Sequence, residues 1–410
     1  MKVFAIPAVV AGLTAGLSLL FFVGISQQFG DAALGEIVMV QAVAAMVLML
    51  FLPQCWVYII AARDPEELKD RYRRSLTIEI AGIACGAVAL AVLLLLPINL
   101  FENWQQGAHL IYLSLAIQGM TSCMGWLRAT ESWVRYAIWN IGSNLIRVPL
   151  IWATPLFAGT DVSIYVHESR SGLFLVYFLI PDLIRLTGVA LPIVVRNYRW
   201  PGFSRAVESL RIVLRNWLFD FGSTINETAD RLVVGLILGP NVLVTYFLAR
   251  RLAIAVSMVT EPFYIEHYRR FSAISVRDLD RRPMQKIYAV GAVLAIGVAV
   301  VVSALIYAGT QIPFIVQFMP DAIASMILVF SGVLLVDSLI AANRWSRFVT
   351  QLDGGAQQLL VVRVLIFSFF CLGVFWFGDA GGGLGVVLAL AVSCLFEATY
   401  LTFRIARFGR

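Results

Sequence analysis

Stretches of about 20 apolar residues alternate along this chain with short connections, and only every second connection is basic. Lys and Arg number one before the first stretch (Lys2), then five between Arg63 and Arg74. Two follow at Arg128 and Arg135, five from Arg196 to Arg215, six from Arg269 to Lys286, two at Arg344 and Arg347, and three from Arg404 to Arg410. The intervening connections hold only Arg170, so 24 of the 25 loop and terminal basic residues share one side. Short loops with this bias stay in the cytoplasm. The pattern predicts twelve membrane spans with both termini inside.

Composition leaves little room for another class. Sixty per cent hydrophobic residues and 14% charge exclude an ordinary soluble domain. The net charge of +6 is then a topology signal rather than a nucleic-acid footprint. The first stretch follows Lys2 but has no A-x-A-like site after it. We read it as a retained helix, not a signal peptide. The five cysteines lie in or beside apolar stretches without metal or redox spacing, which points to packing. His109, His167 and His267 are too scattered for a metal or acid–base site. No catalytic residue and no metal site is expected.

The expected spans are Val3–Ile25, Gly35–Ile60, Leu76–Leu96, Ala108–Leu127, Ala137–Phe157 and Leu173–Val195, then Trp217–Leu238, Val242–Phe263, Ile287–Ala308, Ala322–Ala342, Leu359–Phe377 and Leu384–Phe403. Between the two sets, Phe203, Val207, Leu210 and Leu214 recur at helical spacing with arginines elsewhere on the wheel. This predicts a short amphipathic helix on the cytoplasmic leaflet. A shift of 209 residues places Gly30 on Gly239, Leu34 on Leu243 and Pro53 on Pro262. The predicted organisation is a six-helix lobe over 1–195, a linker over 196–215 and a second lobe over 216–410. The lobes would form a parallel repeat about an axis along the membrane normal.

Six arginines fall inside spans: Arg147, Arg185, Arg231, Arg250, Arg251 and Arg363. Each would cost about 2.5–3.5 kcal/mol at the bilayer centre, so most must face protein or water. Arg363, near a span end, is expected to snorkel. Arg185 has Asp182 at i−3 and Arg231 has Glu227 at i−4. Arg147, Arg250 and Arg251 have no carboxylate at i±3 or i±4 and need an external anion or a partner on another helix. Span five carries Asn140, Asn144, Arg147 and Thr154 on one stripe. Span seven carries Asp220, Ser223, Thr224, Glu227, Asp230 and Arg231, a stripe that suits a water-filled cavity better than a helix seam. Arginine also outnumbers lysine 28 to three, and its planar fork binds phosphate oxygens. Glu227, Asp230, Asp337 and Glu397 could carry a proton or bind Na⁺, or each could only balance an arginine, which is the preferred reading for any single one. For H⁺ or Na⁺ coupling during transport the candidates are Glu227, Asp230 and Glu397, Asp230 foremost.

Two local patterns add a resemblance: Phe29-Gly30-x3-Leu34-Gly35, and Asn226-Glu-Thr-Ala-Asp230-Arg231 continuing through Leu238-Gly239, Tyr246 and Ala249 to Pro262. With the repeat and linker, the chain resembles polysaccharide flippases of the Wzx type, in the superfamily of multidrug MATE exporters and lipid II flippases. The resemblance implies a MATE-like all-α fold and a cavity lined by spans one, two, seven and eight. It also implies movement of an oligosaccharide on a polyprenyl diphosphate from the cytoplasmic to the periplasmic leaflet of a bacterial inner membrane. Membrane lipids and other polysaccharide-assembly proteins would be partners. By position, Arg231, Arg250, Arg251 and Arg147 become candidates for the diphosphate or acidic sugars, with Gln27, Gln28 and Gln41 as polar contacts. Span one departs from related flippases in holding no charge. The alternatives are a MATE-type drug or cation antiporter, which would favour carboxylates over arginines, and an intramembrane glycan-processing enzyme. The enzyme would need a long external loop, which this chain lacks.

Overall fold

The computed structural model describes residues 2–407 except 61, 96–106, 158–169, 273–279, 314–319, 344, 346–348 and 351–355. Each of the twelve expected spans falls on helix, and no strand occurs among the described residues. In order, the first six are Lys2–Phe29; Asp31–Phe51 with Trp56–Ile60; Pro65–Leu95; Ala108–Gln118 with Thr121–Ala129; Trp133–Trp152; and Gly172–Asn197. The remaining six are Phe203–Leu238, Pro240–Ser272, Arg281–Gly309, Ile327–Asn343, Ala356–Gly381 and Gly383–Ile405. Among the described residues, eight helices are long and apolar enough to cross a membrane by length and composition, and Ile327–Asn343 is a shorter apolar helix. Spans five, seven and eight are missing from those eight, and they carry the polar stripes and four of the six intramembrane arginines.

The chain divides into two compact units, Met1–Val38 with Ile225–Arg410, and Met39–Thr224. In the first unit, span one lies along span eight, with the ring of Phe22 edge-on to Phe247 at 4.8 Å. The 209-residue repeat is visible in the backbone there. Gly30 and Gly239 close the first and seventh spans at φ +85° and +82°, a left-handed geometry that glycine adopts without steric cost. Gly30 N–H donates to Ser26 O and Leu34 N–H to Gly30 O; Gly239 N–H donates to Gly235 O and Leu243 N–H to Gly239 O. The two turns also meet, because a Cβ on Gly35 would lie 2.7 Å from Pro240 Cβ.

The prolines of the repeat part company. Span two is interrupted between Phe51 and Trp56 around Pro53, whereas Pro240–Ser272 passes through Pro262 unbroken. A ring that removes one N–H and crowds the preceding turn can break a helix or only bend it, and packing decides which. Here span three fills the break: a Cβ on Gly82 would collide with the Phe51 carbonyl.

Two further expectations are revised. The amphipathic segment does form a helix, but it continues into span seven as one helix of 36 residues. Its buried side, Leu210 and Val213, packs on Cys55, Tyr58 and Ile78, while Ser209 meets the Tyr58 hydroxyl at 3.2 Å. The segment is therefore anchored to spans two and three, while Val207 and Leu214 stay exposed. Span six, in turn, is not a plain α-helix. It widens into π-helical turns at Leu175–Leu179 and Leu186–Ala190, on either side of Asp182 and Arg185.

Candidate functional site

The sequence leaves three arginines without a partner in their own helices, and for Arg147 and Arg250 the structure shows carboxylates on other helices. In the unit that contains spans eight to twelve, Arg250 of span eight is buried. It pairs with Asp230 of span seven and with Asp337 of span ten, Nη2 lying 3.0 Å from Asp337 Oδ1. Its Nη1 also donates to the Tyr246 hydroxyl at 3.0 Å, and that hydroxyl donates to Asp230 Oδ2 at 2.6 Å. Two carboxylates thus share the Arg250 guanidinium. Asp230 Oδ1 is buried and has no hydrogen-bond partner among the described residues.

One residue further along span eight, Arg251 projects toward another environment. Its guanidinium carbon lies 5.0 Å from the centroid of Phe247 and 5.3 Å from that of Phe22. Arg231, next to Asp230 on span seven, lies 5.2 Å from the same Phe247 centroid. Helical spacing explains the division of labour: neighbouring residues differ by about 100° on the wheel, so Asp230 and Arg250 turn into the carboxylate cluster while Arg231 and Arg251 turn to the ring. Both of these arginines are half-buried. A ring face attracts cations, and both guanidiniums lie against this one ring.

Arg147 lies in the other unit and has a different setting. Its Nη2 is 2.6 Å from Asp182 Oδ2, which also accepts from Ser114 at 2.5 Å and Gln118 at 2.9 Å. Asp182 Oδ1 accepts from Ser143 at 2.5 Å and stands 3.5 Å from Arg185. Arg147 Nε and Nη2 donate to the carbonyls of Tyr177 and Phe178, within the first π-helical turn, at 3.0 and 3.1 Å. Its Nε and Nη2 are directed into spans four and six, while Nη1 reaches Asn144 of its own span. The i−3 pairing expected between Arg185 and Asp182 exists, but the closer cation is Arg147.

The remaining candidates are dispersed. Glu397 is buried against Arg363 at 2.7 Å. Arg363 itself is buried rather than snorkelling, because Glu397 on the next span neutralises it. Gln27 is exposed and Gln28 half-buried at the end of span one. Gln41 is buried in the unit beginning at Met39, and its Oε1 has no hydrogen-bond partner among the described residues. The side chain of Glu227, like those of Asp220, Ser223, Thr224 and Arg170, lies outside the described residues. Sequence reasoning named Asp337 as a carboxylate that could balance an arginine but did not pair it with Arg250, and it missed Glu79 as a buried carboxylate. The 87-residue separation of the first pair gave no local signal.

No protein-family model and no curated protein sequence matches the chain. Solved structures do. An inward-facing multidrug resistance MATE family transporter of the MOP superfamily aligns over 96% of this chain and 95% of its own, with a TM-score of 0.67 at 14% identity. Lipid II flippase MurJ, in an inward closed conformation, aligns over 100% of this chain and 88% of its own, with a TM-score of 0.67 at 15% identity. A mutant of the Vibrio cholerae MATE transporter VcmN aligns over 99% of this chain and 96% of its own, with a TM-score of 0.61 at 15% identity. The chain therefore has the all-α, multi-pass membrane fold that these transporters share.

Proposed function

We propose that this chain is a lipid-linked oligosaccharide flippase of the MOP superfamily. It moves a polyprenyl-diphosphate-linked glycan from the cytoplasmic to the periplasmic leaflet of a bacterial inner membrane by alternating access, and so serves cell-surface polysaccharide synthesis. The observation that carries the reading is the pair Arg231 and Arg251 over Phe247. Two guanidiniums converging on one half-buried site suit a multivalent anion such as a diphosphate, whose oxygens each can take a forked pair of donors. Gln27 and Gln28, on the same unit, provide polar contacts to sugar hydroxyls. Arg250 holds the helix carrying Arg251 in register rather than binding substrate itself, and Arg147 does the same for spans four to six.

The Asp230–Arg250–Asp337 cluster supplies the coupling. With two carboxylates on one guanidinium and Asp230 Oδ1 buried without a hydrogen-bond partner among the described residues, it is suited to take up H⁺ or Na⁺ in one conformation only. Differential binding of this kind shifts an alternating-access equilibrium. The same cluster favours a second reading, a MATE-type antiporter of cationic drugs, in which the carboxylates meet the cargo.

The two readings separate on Arg251. Under the flippase reading, Arg251→Glu abolishes glycan export in cells while the protein reaches the membrane at near-normal abundance. Under the antiporter reading the same change leaves glycan export untouched and alters resistance to cationic compounds.

A further inference from the structure

Span three buries a carboxylate for which neither reading has a use. Glu79 is fully enclosed. Its Oε1 accepts from the Thr121 hydroxyl at 2.7 Å and from the Ser122 backbone N–H at 2.8 Å, and Oε2 meets the Ser122 hydroxyl. Thr121 Oγ1 in turn accepts the Cys55 backbone N–H at 2.8 Å. The carboxylate therefore joins two interruptions. One is the non-helical stretch of span two around Pro53, and the other is the point at Gly119–Met120 where span four restarts as Thr121–Ala129. Interrupted helices at membrane depth need their freed backbone groups satisfied by protein. Glu79 does this directly for Ser122 and, through the Thr121 hydroxyl, supports the acceptor of the Cys55 N–H.

Among the described residues its charge has no counterpart. Asp182, Asp230, Asp337 and Glu397 each meet an arginine, but no lysine, arginine or histidine pairs with Glu79 among the described residues. The titratable groups that face it are the Cys55 thiol of span two, the Cys123 thiol of span four and the Tyr72 hydroxyl of its own span, all neutral near pH 7. An ionised carboxylate here is held by hydroxyl and backbone donors and by the N-terminal end of a nine-residue helix. A protonated one is accommodated too, because the Ser122 hydroxyl can rotate to accept from Oε2–H.

A second observation points the same way. Tyr72, Ser75 and Glu79 stand at i, i+3 and i+7, on one face of span three. All three are fully enclosed. The Tyr72 hydroxyl has no hydrogen-bond partner among the described residues, and the Ser75 hydroxyl has only the Cys55 thiol beside it, although buried hydroxyls ordinarily find a full partner. They lead from the end of the span that carries Arg71, Arg73 and Arg74 to the carboxylate.

We propose that Glu79 is a proton-binding site, reached along Tyr72 and Ser75 from the arginine-rich end of span three, and that a bound proton loosens the two interrupted helices it joins. The carboxylate is charged in the tight state and neutral in the loose one, so the electrostatic hold on the Thr121–Ala129 terminus is what the proton removes. The proposal is independent of the cargo and of the Asp230 cluster, which belongs to the other unit.

The test uses full-length protein in lipid. Infrared difference spectra between about pH 8 and 5 should show a protonated-carboxyl band that is lost in Glu79→Gln. Ser122→Ala keeps the carboxyl but removes one partner, and should displace the midpoint of that band by roughly one pH unit. Hydrogen exchange over 52–60 and 119–124, corrected for the intrinsic effect of pH, should rise on acidification in the unmodified protein and be pH-independent in Glu79→Gln. No band in this window, a band that survives in Glu79→Gln, or an unmoved midpoint in Ser122→Ala would overturn the proposal. If Glu79→Gln does not fold, the midpoint of Ser122→Ala decides.

Discussion

The guanidinium groups of Arg231 and Arg251 share the ring of Phe247, with carbons 5.2 and 5.0 Å from its centroid, although the two residues belong to different spans. Each neighbours a member of the carboxylate cluster in sequence, Asp230 and Arg250 respectively. The arrangement separates one anionic group from two cations by the turn of the helix alone. A cation over an aromatic face gains about 0.5–2 kcal/mol depending on its solvation, enough to fix a side chain in place.

If those arginines bind a diphosphate through forked hydrogen bonds, Arg231→Lys and Arg251→Lys should each keep the charge but lose most of the transport rate, because an ammonium cannot present the planar fork. Phe247→Leu should keep both charges and normal abundance, yet weaken transport by releasing the guanidiniums. A full rate in both lysine variants would show that charge alone matters. Transport of a labelled lipid-linked glycan, normalised to protein amount, is the measurement.

Arg250 should behave differently from Arg251. Removing one member of a buried ion pair typically costs about 3–5 kcal/mol, since the partner's charge is left uncompensated. Arg250→Ala leaves Asp230 and Asp337 facing each other without the cation and should lower the detergent melting temperature sharply. Arg251→Ala, whose guanidinium is half-buried over two rings, should shift it far less. Equal shifts would contradict the assignment of structural and binding roles.

The repeated turns give a paired test. Gly30 and Gly239 have φ of +85° and +82°, so Gly30→Ala and Gly239→Ala should cost about 1 kcal/mol or somewhat more each, with no steric component because neither Cβ would meet an atom within 4 Å. Gly35→Val should be worse, since even its Cβ would press on Pro240. Melting temperatures that rank Gly35→Val below the alanine variants would fit this geometry.

What was legible in the sequence follows from what the bilayer imposes. A helix must satisfy its own backbone and present about 20 apolar residues, so the helical stretches could be read directly. The Gly30/Gly239 correspondence was also readable, because a left-handed turn leaves few residues but glycine. The ion pairs between helices were not. Arg147 finds Asp182, Arg250 finds Asp337 and Arg363 finds Glu397 across helices, and a spacing of i±3 or i±4 covers one helix only. Glu79 escaped notice for a different reason: its partners are hydroxyls and a backbone N–H, which carry no charge pattern. Pro53 and Pro262 looked alike because the sequence does not say whether a neighbouring helix, here at Gly82, will fill the break.

The sidedness itself can be checked by fusion. Alkaline phosphatase joined after residue 104, 165 or 380 should be active, and after 70, 205 or 280 silent, because 24 of 25 loop and terminal basic residues lie on the second side. Activity at 205 would place the arginine-bearing start of Phe203–Leu238 outside and remove the proposed direction of transport.

The most direct test of the central claim is flipping itself. Purified protein in proteoliposomes would be given a fluorescent polyprenyl-diphosphate-linked oligosaccharide in one leaflet, with an imposed H⁺ or Na⁺ gradient. Translocation should respond to at least one gradient, lose that response in Asp230→Asn, and stop in Arg251→Glu. Vesicles that leave the glycolipid in its original leaflet but exchange a cationic drug for H⁺ or Na⁺ would contradict the flippase assignment.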